Sequence, residues 1–280
     1  MKILNNLGFM QGRLSPTSKG KIQFFPEENW EKEFHLANKI GLKNMEWTLD
    51  YKNLFINPIF TNEGIKKIKY LSKKYKIKIK TLTGDCFMQK PFWKYKNSKK
   101  YIEDFKKIIK ACSNLKIKYI IFPLVDKSSI KTNKEEIKII LKFKKLNKFL
   151  KKNNIKILFE SDYTPKNLKK FIKKFNKENF GINYDSGNSA SLNYDVNEEF
   201  NQYGKYIKNI HIKDRVLNGK TIRLGKGNAD FNNIFNCIRK IKYKKLLVLQ
   251  TARSLGKNND IKEININLNF IKEKLKLNAN

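Results

Sequence analysis

Residues 155–160 read IKILFE, a short apolar run closed by a carboxylate, and the pattern returns three times further along the chain. FGINYD at 180–185, IKNIHI at 207–212 and KLLVLQ at 245–250 give the ordered polar series Glu160, Asp185, His211, Gln250. Their spacings of 25, 26 and 39 residues approximate one strand plus one helix. In a parallel β/α barrel the strand C-termini converge on one face, so the four side chains are expected to meet around one point. An oxygen-rich set with one imidazole suits a single divalent cation, Mn²⁺ or Mg²⁺ ahead of Co²⁺ or Zn²⁺.

Working outward, strand-like and helix-like segments alternate along the whole chain. Strands are expected near 3–10, 43–48, 77–83, 117–123, 155–160, 180–185, 207–212 and 245–250. Helices are expected near 28–40, 62–75, 97–114, 132–152, 165–176, 196–205, 230–241 and 260–275. Short apolar runs with lysines at their starts suit strands buried on both faces. Thr132 with Glu135, Thr164 before Pro165, and Asp230 before FNNIFNCI are helix-start signals. Gly41 stops the first helix, whose Trp30, Phe34, Ala37 and Ile40 share one core-facing stripe. Eight alternations within 280 residues favour an α/β fold with one domain over 1–280: a single (β/α)8 TIM barrel, its closed parallel sheet ringed by outer helices. No linker divides the chain, and no dinucleotide fingerprint or P-loop follows any strand.

The net charge of +36 invites a nucleic-acid reading, yet only five of the 61 basic residues are arginine. Lysine, isoleucine and asparagine abound together, as AT-rich codons supply them. The lysines are spread over every helix-like segment, without the arginine and aromatic readers that specific recognition uses. Weak polyanion binding at low salt is expected; no specific nucleic-acid partner is. Arg13, Arg215, Arg223 and Arg253 follow strands, and Arg239 lies in a helix; the first group is placed to recognise phosphate or carboxylate at the barrel mouth. Three widely spaced cysteines argue against a disulfide framework. With no secretory segment and no bilayer-length apolar run, a soluble cytoplasmic protein without a membrane partner is expected.

Each candidate residue has a plain structural alternative. Glu160 could pair with a lysine, Asp185 of NYDSGNS could cap a turn or helix, and Gln250 could be a core amide. His211, flanked by Ile210 and Ile212, is expected to point into the barrel. Lys213, Asp214 and Arg215 follow at once, then LGKGNADF, whose Gly225 and Gly227 permit close backbone approach to a ligand. Trp47, Phe87, Phe92 and Trp93 are placed either to cover a substrate or to pack on the rim.

HIKDR, LGKGNADF and the ordered polar series resemble the sugar phosphate isomerase/epimerase group of xylose-isomerase-like TIM barrels. GFMQGRLSP near the N-terminus, Glu46-Trp47, and TGDCF at 83–87 fit the same group. The resemblance implies an isomerase or epimerase acting on a small sugar, sugar phosphate or related polyol through a metal-bound enediolate. It also implies a cation held by Glu160, Asp185 and His211, with pairing into homodimers. In ketose 3-epimerases of this group the fourth ligand is a second catalytic glutamate, where this chain has Gln250. Asn188 likewise replaces a histidine that often touches substrate. The resemblance leaves open a one-base shuttle by Glu160, or chemistry assisted by Asp214, Lys213 or Glu46. Glu46, Trp47, Asn188, Arg215, Arg13, Arg253, Phe87 and Trp93 are the expected substrate contacts. Apurinic-site endonucleases share the barrel but assemble three zinc ions on many histidines, and only His35 and His211 exist here. A sugar-binding barrel whose chemistry has lapsed is the alternative; a nucleic-acid-binding protein ranks behind it.

Overall fold

Apolar runs of three to six residues become the staves of a closed parallel barrel. The computed structural model describes residues 5–16, 22–96, 98–253 and 260–277. The barrel strands are β1 (Leu7–Met10), β2 (Asn44–Thr48), β3 (Lys78–Thr83), β4 (Tyr119–Leu124), β5 (Lys156–Ser161), β6 (Phe180–Asp185), β7 (Ile207–Ile212) and β10 (Leu247–Leu249). They follow chain order around the barrel, β10 closing between β7 and β1. The intervening β8 (Asp214–Arg215) and β9 (Thr221–Ile222) form a small antiparallel hairpin.

The helices are α1 (Trp30–Lys39), α2 (Asn62–Tyr75), α3 (Asp85–Gln89), α4 (Lys99–Asn114), α5 (Asn133–Lys152), α6 (Pro165–Ile172), α7 (Ser186–Ser191), α8 (Val196–Tyr203), α9 (Phe231–Lys240) and α10 (Asp260–Leu277). Thr132 Oγ1 accepts from Glu135 N at 3.2 Å, and Asp230 Oδ1 from Asn233 N at 3.1 Å, so both start signals cap helices. Gly41 has φ +80°, the left-handed stop expected after α1. Three elements were not expected: α3, α7 and the β8–β9 hairpin, each two to six residues long and directly after a barrel strand. The expected strand at 3–10 begins at Leu7, and its residues 3 and 4 lie outside the described residues, as does residue 97 of the helix expected at 97–114. No helix among the described residues is long and apolar enough to cross a membrane.

The main core lies between sheet and helices. Phe122 of β4 packs against Phe105 of α4 and Phe143 of α5 with ring centroids 5.8 and 5.0 Å apart, and Phe159 of β5 joins Phe143 at 5.2 Å. Each buried phenyl contributes roughly 1.5–3 kcal/mol. Trp47, Phe87 and Trp93 belong to this outer core rather than to the mouth. Trp47 packs edge-on against Trp30 and tilted against Phe25 and donates to Asn57 Oδ1; Phe87 and Trp93 pack on Phe122. Their expected role at a sugar face is therefore corrected: all three are buried among apolar neighbours.

Inside the barrel the chain places charge. Glu46, Asn183, Asn209 and His211 are all buried and bonded to one another. Since β2 and β7 are not neighbours in the sheet, the Glu46–His211 bond crosses the interior. Register shifts at Met45/Glu46 and at Ile182/Asn183 lie beside two of these residues. Such bulges re-aim side chains, and here they accompany the polar layer.

Candidate metal centre

Glu160 ends β5 with both carboxylate oxygens engaged. Oε2 accepts from Asn183 Nδ2 at 2.7 Å, Oε1 from Asn188 Nδ2 at 2.8 Å. Asp185 divides its two oxygens. Oδ1 accepts from the Gly187 and Asn188 amides at 2.9 Å and caps α7, while Oδ2 faces the Lys213 ammonium at 3.1 Å. The cap and the site, alternatives in the sequence, coexist in one side chain.

His211 joins them. Its Nε2 is 2.7 Å from Glu46 Oε1, and its Nδ1 lies 3.2 Å from Glu160 Oε2 and 3.9 Å from Asp185 Oδ2. A carboxylate on one ring nitrogen fixes the tautomer and leaves the other to a ligand. Burial alone would lower the imidazole, but the Glu46 and Glu160 carboxylates outweigh it and lift His211 to about 10. The two carboxylates thus favour positive charge at the ring, from a proton or from a cation at Nδ1. Burial also works against ionisation of Asp185, and Lys213, His211 and the Asn188 amide overcome it, holding the group below its usual range.

These groups fit a divalent cation. One ligand atom each from Glu160, Asp185 and His211 lies within 4.8 Å of the others, a spread that an ion with ligands at about 2.1 Å would draw in modestly. Three carboxylates, Glu46 included, converge on the imidazole, with the Lys213 ammonium on Asp185, and once the ring is neutral a cation at Nδ1 would offset the negative charge they leave. Gln250 follows β10, and its backbone N donates to Ile212 O at 3.1 Å, beside the end of β7. Its Oε1 is buried without a hydrogen-bond partner among the described residues, a state natural for an oxygen that awaits a ligand.

The remaining expected residues divide. Asn188 Oδ1 accepts from Lys213 Nζ at 3.2 Å and from Arg215 at 3.0 Å, so Asn188, Lys213 and Arg215 form one cluster above Glu160 and Asp185. Glu46 is fully buried and holds His211, which corrects its expected role as a substrate contact. Asp214 is buried and accepts from the Gly225, Gly227 and Ala229 amides at 2.8–3.0 Å. Both of its oxygens accept from backbone amides, so it pins the glycine loop. Arg13 donates to Thr251 O and Ile22 O, and Arg253 to Ile22 O and Ser15 O. Both fasten the β1–α1 connection, and Arg253 Nη2 is buried without a partner among the described residues. Arg223 pairs with Glu263 at 2.7 Å.

Sequence reading missed Asn183, Asn209, Gln23 and Asp85. The asparagines stand two residues before Asp185 and His211, where strand alternation alone would have placed them inside. Asp85 follows β3 as Glu160 ends β5, so the criterion that found Glu160 also reaches it. It accepts from Gln23 Nε2 at 2.5 Å, and Gln23 Oε1 accepts from Gln250 Nε2 at 2.8 Å. Burial, then Asp50, and also Glu160 push Asp85 up to about 7 against the pull of Gln23 and Arg13.

A closed parallel barrel with an acidic, histidine-bearing cluster at its strand ends defines a class that comparison now narrows. Residues 34–274 match the family described as xylose isomerase-like TIM barrel, and the chain belongs to it. No curated protein matches the sequence. Solved structures similar to it include a xylose isomerase domain protein from Planctomyces limnophilus (14% identity, TM-score 0.74, 98% of each chain covered). The IOLI protein with a bound zinc atom is similar at 16% identity and TM-score 0.75, over 96% of this chain and 98% of that one. A D-psicose 3-epimerase from Clostridium cellulolyticum, solved with D-tagatose, is similar at 14% identity and TM-score 0.71, over 98% of each chain.

Proposed function

We propose that this chain is a divalent-metal-dependent isomerase or epimerase acting on a small sugar, sugar phosphate or related polyol. The observation that carries the reading is the convergence of Glu160, Asp185 and His211 Nδ1, with Nε2 locked by Glu46. Glu160, Asp185, His211 and the Gln250 amide oxygen would hold the cation. When bound, it polarises a carbonyl and acidifies the neighbouring carbon. The chain's own residues do the rest. Glu160, oriented by Asn183 and Asn188, takes the proton from that carbon. Lys213 and Arg215, gathered on Asn188, orient a hydroxyl or phosphate. Gln250 cannot return a proton. Asp85, linked to Gln250 through Gln23 and partly protonated near neutrality, supplies the second transfer. The neighbours that are sugar epimerases, and the one that binds zinc, support the reading through a shared fold.

The test is deuterium uptake from D₂O into D-fructose and D-tagatose, followed by NMR with Mn²⁺ present. The wild type is expected to exchange, and Glu160→Gln to lose about 10²–10⁴-fold, the usual worth of a positioned base. Sugar binding without exchange in the wild type would leave a binding barrel instead. Elemental analysis gives the metal arm. Asp185→Asn keeps an oxygen for the α7 cap, and it should lose the ion that the wild type retains.

A further inference from the structure

The opposite end of the barrel gathers lysines. Lys118 immediately precedes β4, Lys156 opens β5, Lys208 is the second residue of β7, and Lys245 precedes β10 by two. All four sit at strand N-termini, on the face away from Glu160 and His211. Lys156 N donates to Lys118 O at 2.9 Å, so these two are neighbours on adjacent staves. Between β5 and β7 lies β6, which carries Gly181 at this level. A Cβ there would stand 2.7 Å from Lys208 Cγ; the missing side chain is what lets Lys208 cross β6. On its other side Lys208 meets the Lys245 side chain.

None of the four has an ion pair among the described residues. Burial first, then Lys208, Lys156 and Lys118, push Lys245 down to about 8. Burial and the charges of Lys118 and Lys208 also lower Lys156, against which Glu178 gives slight relief. A lysine-rich composition supplies ammonium groups, but on the helices they stand on solvated faces. Composition does not explain why three half-buried ones share the barrel floor without an ion pair among the described residues, along a path opened by one glycine. Like charges held together favour a counter-anion.

We propose that the N-terminal mouth of the barrel binds an oligophosphate chain through Lys118, Lys156, Lys208 and Lys245. Ammonium groups act as point charges for phosphate, and several of them around one opening match a ligand with charges strung along it better than a single carboxylate. A nucleic acid would want a broad basic face with arginine or aromatic readers, and this ring has no arginine. Free oligophosphate and the tail of a nucleoside triphosphate share the required chemistry.

Titration calorimetry with inorganic tripolyphosphate at about 0.15 M salt, where exposed charges are screened beyond about 8 Å, tests this. The wild type is compared with Lys156→Gln/Lys208→Gln/Lys245→Gln and with Lys144→Gln/Lys148→Gln/Lys151→Gln on exposed α5, which removes equal charge. Saturable one-to-one binding is expected, about tenfold or more weaker in the ring variant and little changed in the α5 variant. Lys245→Gln alone should weaken binding and, by relieving repulsion, raise the melting temperature of the ligand-free protein. Competition by ATP but not adenosine would extend the site to nucleoside triphosphates; competition by tripolyphosphate alone would restrict it to the free chain. Equal weakening in both triple variants, preference for duplex DNA at matched charge, or no saturable binding at this salt would overturn the proposal.

Discussion

At the C-terminal rim, the arc from β5 to β7 and the arc of β10 and β1 treat buried polarity in opposite ways. The first gathers the carboxylates: Glu160, Asp185, His211, Lys213, Asn188 and Arg215 are bonded to one another, while Tyr184 OH and Asn209 Oδ1 beside them have no partner among the described residues. The second has no carboxylate at its strand ends; Arg13 and Arg253 are bonded there to backbone carbonyls, and Gln11 Nε2, Gln250 Oε1, Thr251 Oγ1 and Arg253 Nη2 are buried without partners among the described residues. Buried polar atoms left unpaired cost about 1–3 kcal/mol each, so the second arc has most to gain from a ligand that carries hydroxyls. The difference teaches where the chemistry is asymmetric. Carboxylates able to hold a cation sit on one arc, and the departure at Gln250 falls on the other.

The largest effect on this contrast should come from the charged arc's support. Glu46→Gln keeps an acceptor for His211 Nε2 but removes the charge behind the ring. Metal affinity is expected to fall about 10–100-fold, as when a carboxylate behind a metal-bound histidine is lost, measured by titration with Mn²⁺. Unchanged affinity would mean that His211 does not bind the ion.

Gln250→Glu attacks the contrast from the other side by putting a carboxylate on the arc that lacks one. Metal affinity should rise about tenfold, roughly 1.4 kcal/mol, and epimer formation should depend less on Asp85. No gain in affinity would place Gln250 outside the ligand set and leave three ligands from one arc.

Protonation distinguishes the arcs as well. His211 titrates near 6.5 when unfolded and about 10 in the metal-free fold. A folded value above the unfolded one adds stability that is complete below about 6.5 and lost as pH rises toward 10. Glu33, Asp85 and Glu199, each raised to about 7 first by burial, act in the same sense at lower pH. Lys245, lowered to about 8, opposes His211 in part of its window. Denaturant titrations in a Lys245→Gln background should therefore show metal-free stability declining between pH 7.5 and 10, roughly the upper His211 range. Saturating Mn²⁺ should flatten that slope, because the cation replaces the Nδ1 proton. A slope indifferent to metal would separate His211 from the ion.

Much of this was legible in the chain. Strand ends at Glu160, Asp185 and His211 could be read because apolar runs, their spacing and the parallel rule all point the same way. Glu46 was noticed but misassigned, since its bond to His211 spans the barrel between strands 165 residues apart in sequence. A bulge at Met45/Glu46, which no propensity encodes, accompanies that placement. Arg13 and Arg253 were misread for a related reason. A guanidinium after a strand serves backbone carbonyls as well as phosphates, and only the position of the β1–α1 connection decides between them. Asp85 escaped because its strand, KIKTLT, is less apolar than IKILFE and ends at Thr83, two residues short of Asp85, which opens α3.

Asp214 gives the smallest expected effect at the site and the strictest check on the comparison. It sits two residues after β7, next to Lys213, yet its oxygens face three amides of the glycine loop. Gly227 leaves no room for a side chain there, since a Cβ would stand 2.3 Å from Asp214 Oδ1. Asp214→Asn would replace one acceptor oxygen by a donor aimed at an amide, costing about 1–3 kcal/mol. Hydrogen exchange at Gly225, Gly227 and Ala229 should accelerate accordingly. Metal affinity should stay within about twofold, because no bond of Asp214 leads to Glu160, Asp185 or His211. A tenfold loss of metal with unchanged loop protection would reverse the assignment, making Asp214 part of the charged arc and its amide bonds incidental.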